Sequence, residues 1–175
     1  MKQLTSLLFF SLFISIGFAQ TQPASEYNQT IKKQAETMGQ ALLKKDFTTF
    51  VQFAHPAILT MAGGKQKMVE GLSQGLKAME AQGGGILNVA VGEPSRVLTT
   101  KDGLQCTLPQ VMDLKVPNGK LVSKSTLIAV STDKGANWYF IDTSGKDLAT
   151  MQKVIPSLSS ELVIPPTEEP KFQSN

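Results

Sequence analysis

The run LQCTLPQVMDLKVPNGKLVSKSTLIAVS, residues 104–131, decides the fold class. Leu104, Cys106 and Leu108 alternate with polar residues, the period of a strand that buries one face. Two such halves, 104–116 and 121–131, flank Asn118-Gly119, the dipeptide of type I′ turns. The run therefore reads as a long antiparallel hairpin. Further stretches of period two at about 86–98 and 138–143 add strands to it.

Upstream the period lengthens. Tyr27, Ile31, Ala35, Met38 and Leu42 form one stripe between lysines, which predicts an amphipathic helix over 24–45. Asp46 is placed to cap a short second helix carrying Phe47, Phe50, Val51 and Ala54. Pro56 pushes its predecessor toward extended geometry, so this helix is expected to stop at His55, the only histidine. AILTM (57–61) then reads as a short strand. Gly63-Gly64 opens a third helix with Met68, Val69, Leu72, Leu76 and Met79 on one face, and Gly83–Gly85 ends it. Downstream, KDLATMQKV predicts a short helix from Lys146. The ending, residues 156–175, is polar and proline-rich and is expected to be a flexible tail. The fold class is α+β: three N-terminal helices in the concavity of a curved antiparallel sheet.

The first residues, MKQLTSLLFFSLFISIGFAQ, have the layout of a signal peptide over 1–19. Lys2 is the positive start, Leu4 to Phe18 the apolar run, and Gly17 and Ala19 the small residues before a cut. The run is short for a membrane span, which needs about 20 apolar residues. Export, periplasmic or secreted, with no membrane anchor after processing, is the expectation.

Composition narrows the chemistry. Arg96 is the only arginine among 17 basic residues. Recognition of phosphates and bases favours the arginine fork, so nucleic acid is not expected as a partner. Cys106 has no cysteine to pair with, and its place in LQCTL makes it an inward, inert strand residue. One histidine and one cysteine cannot make a structural zinc site, and no acidic cluster has calcium-loop spacing. No metal and no cofactor is expected.

Three motifs have local readings. GLSQG (71–75) matches the nucleophile-elbow pattern, but Ser73 lies in a helical stripe and His55 precedes it, the wrong context for that chemistry. STDKGANW (131–138) resembles an Asp-box, present once where a propeller would repeat it. It reads as a turn device: Asp133 accepts backbone amides, Gly135 permits positive φ, and Trp138 anchors the next strand. The sequon NQT (28–30) falls on the first helix. His55 reads as a helix-end group.

The element order, the passage KKDFTTFVQFAHPAIL, the opening GGKQKMVEGL and the strand WYFID together resemble the nuclear transport factor 2-like superfamily. The resemblance covers residues 24 to about 143 and sets the domain at 20–155. It implies a cystatin-like cone with a cavity at its open end. Members of the ketosteroid-isomerase and dehydratase kind carry a tyrosine on the first helix and acids or a histidine in the cone. Tyr27 is placed to match that tyrosine, and Asp142 shares parity with Trp138 and Phe140. AILTM carries no acid where an isomerase has one. The reading that follows is a non-catalytic binding module with Tyr27, Gln110 and Asp142 as pocket groups for a small apolar ligand. The alternatives are an isomerase- or dehydratase-type enzyme using Asp142 or His55, and a cystatin-like structural or inhibitory module with a protein partner. The resemblance also implies a homodimer through the sheet as one form of assembly. Asp142 has a plainer role open to it as well, capping the turn DTSG.

Overall fold

The structure, a computed structural model, describes residues 26–174. The leader expected over 1–19 lies outside them. The molecule is α+β, with a curled antiparallel sheet forming a half-barrel and helices packed on it. Among the described residues four helical segments precede the first strand: α1 Asn28–Leu43, α2 Phe47–Phe50, α3 Pro56–Met61 and α4 Lys65–Ala81. The strands are β1 Gly85–Val91, β2 Leu98–Thr100, β3 Gly103–Val116, β4 Gly119–Ser131, β5 Tyr139–Asp142 and β6 Lys171–Ser174, with α5 Leu148–Val154 before β6.

The hairpin of β3 and β4 is the frame. It pairs without a break from Leu104↔Ser131 to Val116↔Gly119. The loop residues are thus Pro117 and Asn118, one position earlier than Asn118-Gly119 as expected. Proline first and Asn118 second, at φ 67°, is the pattern of a type II turn rather than type I′. Each outer edge of the hairpin is shared by two short strands. β1 and β2 both pair with β3, while β5 and β6 both pair with β4. The single strand expected at 86–98 is therefore interrupted. Gly92 N still donates to Pro109 O (2.8 Å) and Ser95 N to Thr107 O (2.7 Å). In an antiparallel ladder the N–H and C=O of one residue point the same way. Pro109 therefore turns its missing donor toward this edge, and the ladder breaks there.

Alternation sends the two parities of the sheet into separate cores. Cys106, Leu108, Leu127, Ala129, Trp138 and Phe140 face α1, whose Ile31, Ala35 and Met38 pack on them. Burial pushes the Cys106 thiol up to about 12, so it stays protonated and inert, as its strand position predicts. Ile128, Val130 and Ile141 face the other way and meet Met151, Ile155, Leu158 and Leu162. Residues 156–174 are thus no flexible tail. Leu158 and Leu162 are buried, and β6 extends the sheet beside β4. The buried amide of Gln105 holds this segment, donating to Ser157 O and accepting from Ser159 N, both at 2.8 Å. Thr107 Oγ1 adds a bond to Val163 O at 3.2 Å.

AILTM is helical, not a strand. His55 is extended (φ −61°, ψ 139°), as its proline neighbour requires, but Pro56 then occupies the first position of α3. Proline is favoured there because its missing N–H is one no helix uses at that point. His55 therefore begins a helix instead of ending one: its Nδ1 accepts from Ala57 N at 3.2 Å. Asp46 caps α2 as its sequence position suggests, accepting from Thr49 N at 3.0 Å. Ser73 lies inside α4, away from any strand-to-helix turn.

Candidate functional site

A cavity of about 320 Å3 lies between the helices and the inner face of the sheet. Met38 and Leu42 of α1, Phe50 of α2, Ile58 of α3, and Met68 and Leu72 of α4 form its helical side. The sheet supplies Leu127, Phe140 and, at one end, the polar group Gln110 with Asp142 and Ser144. Register explains the grouping. Gln110 and Met112 follow Cys106 and Leu108 on the inward parity of β3, and Gln110 stands opposite Ser125. Asp142 stands opposite Leu127 at the end of β5.

The polar end is bonded internally. Gln110 Nε2 donates to Asp142 Oδ2 (3.1 Å) and to Ser125 Oγ (3.2 Å), with Met112 Sδ at 3.6 Å. Ser144 N donates to Asp142 Oδ1 at 2.8 Å, an Asx-type turn. Asp142 thus fills both roles that its sequence position allows. It faces inward by parity and caps the turn after β5, yet it remains exposed because the strand ends there.

The other candidates lie elsewhere. Tyr27 is not at this cavity; its ring packs on Trp138, with centroids 6.1 Å apart, beside Gly135. It lines a separate hollow of about 520 Å3 at the far end of β3 and β4, whose walls are turn residues such as Lys101, Asp102 and Lys134. The Tyr27 hydroxyl titrates above its ordinary value, chiefly through a hydrogen bond with Glu26. Tyr27, Gln110 and Asp142 therefore do not form one constellation. His55 sits edge-on to Tyr139, 6.5 Å between centroids. His55 is not among the residues that line the cavity. Burial holds its imidazole below the ordinary value, which keeps Nδ1 free as an acceptor.

The Asp-box-like turn serves structure. Asp133 accepts from Ser131 Oγ and Asn137 N, each at 2.9 Å, and from Asn137 Nδ2 at 2.7 Å. The bonds from Asn137 hold its carboxyl below the ordinary range. Gly135 has φ 87°, and a Cβ there would run into the Tyr27 ring. Trp138 Nε1 donates to Gly135 O at 3.0 Å, and Gln34 of α1 clamps the turn through Trp138 N and Ala136 O.

Among the described residues there is no group of three or more His, Cys, Asp or Glu side chains placed to hold a metal. No helix among them is long and apolar enough to cross a membrane. No protein-family model matches the chain, and no curated protein matches it.

Proposed function

We propose that the chain is an exported, non-catalytic binding module that holds a small, mostly apolar ligand between its helices and its sheet. The observation that carries this reading is the cavity of about 320 Å3, apolar on its helical side and polar at one end. Ligand pockets of about 300–1,000 Å3 have this composition, with few polar groups that fix orientation. Asp142 is the lone titratable group among the described residues of the lining, so they do not assemble a paired acid and base, as proton transfer between carbon positions requires. The cone of the nuclear transport factor 2-like superfamily is part of the same proposal. Helices before strands and a curled antiparallel sheet support it.

Titration with N-phenyl-1-naphthylamine, a neutral apolar fluorophore, tests the reading. Saturable binding with one site per chain is expected. Leu72→Trp, which fills the cavity from α4, should weaken it by about tenfold or more, since displacement of an apolar ligand forfeits its buried surface. Absence of saturable binding, or equal binding by the variant, would sink the reading. The exported part rests on the run Leu4–Phe18 and the small residues Gly17 and Ala19. The mass of protein recovered from outside the cytoplasm should correspond to a chain starting at Gln20; a retained Met1 would contradict it.

A further inference from the structure

The polar end of the cavity has a definite hydrogen-bonding sense. Gln110 is only 5% exposed. A carboxylate only accepts, so the amide must present its nitrogen to Asp142, and this fixes Oε1 on the other side. Gln110 Nε2 donates to Asp142 and Ser125, whereas Oε1 takes part in none of the hydrogen bonds among the described residues. No buried side-chain nitrogen or oxygen among those residues lacks a partner, so Oε1 is not shut into packed protein, and Gln110 lines the cavity. Asp142 has one bond at each oxygen, from Ser144 N and from Gln110 Nε2. Each oxygen keeps a further lone pair.

A ligand head entering this end therefore meets an amide oxygen and a carboxylate. Among the described residues the lining contains no lysine or arginine. Lys124, in the adjoining hollow that shares Met112, Asp142 and Ser144, is already engaged by both oxygens of Glu168 at 3.0 Å. An anionic head would face Asp142 without a counter-ion, and a neutral hydroxyl would leave the charge unused. An ammonium supplies three donors and the opposite charge, and bonds of that kind are the strong ones. Because Asp142 is exposed, the head keeps part of its water and avoids the full cost of burying a charge. Met38, Met68 and Met112 give the walls unbranched, polarisable side chains that adapt to a flexible chain.

We infer that the cavity takes an amphipathic primary amine, its ammonium at Gln110 Oε1 and the Asp142 carboxylate, its apolar body along Met38, Met68 and Leu72. The assignment deepens the binding-module reading and rests on it. Octylamine, 1-octanol and octanoate are compared at neutral pH as displacers of N-phenyl-1-naphthylamine. Octylamine should displace the probe at a concentration lower by about tenfold or more than octanol, with octanoate weakest, as charge-assisted bonds predict. Asp142→Asn should erase most of the amine's advantage over octanol, each displacer being referred to the variant's own probe affinity. Octanol or octanoate matching the amine, or an advantage that survives Asp142→Asn, overturns the assignment while leaving the cavity reading in place. A protein that takes up no probe fails both.

Discussion

Gln105→Leu probes the contact that ties the C-terminal segment to the sheet. Leucine is close in volume to glutamine, so the change removes chemistry more than packing. Gln105 is fully buried and serves two backbone groups, Ser157 O and Ser159 N, at 2.8 Å each. If the segment stays docked, both partly buried bonds lose their partner, at up to about 1–3 kcal/mol each. If it lifts away, Leu158 and Leu162 lose their burial, about 1.5–3 kcal/mol each. The protein takes the cheaper route, so a loss of about 2–6 kcal/mol is expected, a large part of the 5–15 kcal/mol of an ordinary domain. Urea denaturation followed by Trp138 fluorescence measures it, and hydrogen exchange at the Ser159 amide should accelerate. A loss within about 0.5 kcal/mol, the range of neutral surface changes, with Ser159 still protected, would refute the clamp.

Trp138→Ala should cost about 3–5 kcal/mol, as for other buried aromatics, because the ring is 1% exposed and its Nε1 closes the turn on Gly135. A denaturation midpoint near that of the wild type would show that the turn does not depend on it. His55→Ala should cost about 0.5–2 kcal/mol as a lost N-cap, whereas His55→Asn should restore most of it. The imidazole is depressed by burial, so the unfolded chain, at about 6.5, takes up the proton first. Its contribution is then full above that pH and is lost as pH falls through the folded value. Thermal melts between neutral and mildly acidic pH should fall more steeply for wild type than for His55→Ala; parallel curves would remove His55 from the cap.

What the sequence revealed and what it hid divide along physical lines. The β3–β4 hairpin was legible because two-residue alternation ran through both halves with a turn signal between. Gln110 and Asp142 were legible as inward groups for the same reason, although parity alone does not give depth, and Asp142 is exposed at the strand's end. Tyr27 was misplaced because a helical stripe fixes a face but not a height along the sheet; the first turn of α1 lies over the Asp133 turn. AILTM, four apolar residues and a threonine, fits a strand or a short helix equally, and Pro56 is as much a helix's first position as a stop. The buried Ile155, Leu158 and Leu162 carried a signal of their own, apolar residues three and four apart, which the surrounding prolines and serines masked.

The cavity itself depends on two helices with similar stripes and different fates. α1 presses onto the sheet, with Ile31 and Ala35 fully buried and Gly39 so near Val89 that a Cβ would lie 3.0 Å from its Cγ1. α4 buries only Leu76, and its Met68 and Leu72 are half-buried against empty space. Between them, the segment before α3 is tied to β5: Phe140 N donates to Phe53 O at 2.7 Å, and Ala54 pairs beside Phe140. The turn that joins α2 to α3 is thereby fixed at the sheet edge, and α4 begins only a few residues beyond it. Hydrophobic periodicity cannot separate a stripe that meets a core from one that lines a cavity, because both repeat at the same interval. Apolar surface left unfilled on α4 is stability that the fold forgoes, and sites of function are where such sacrifices gather. Leu72→Trp should therefore hold or raise the denaturation midpoint while it removes binding, a pairing that a simple packing position on α4 would not give.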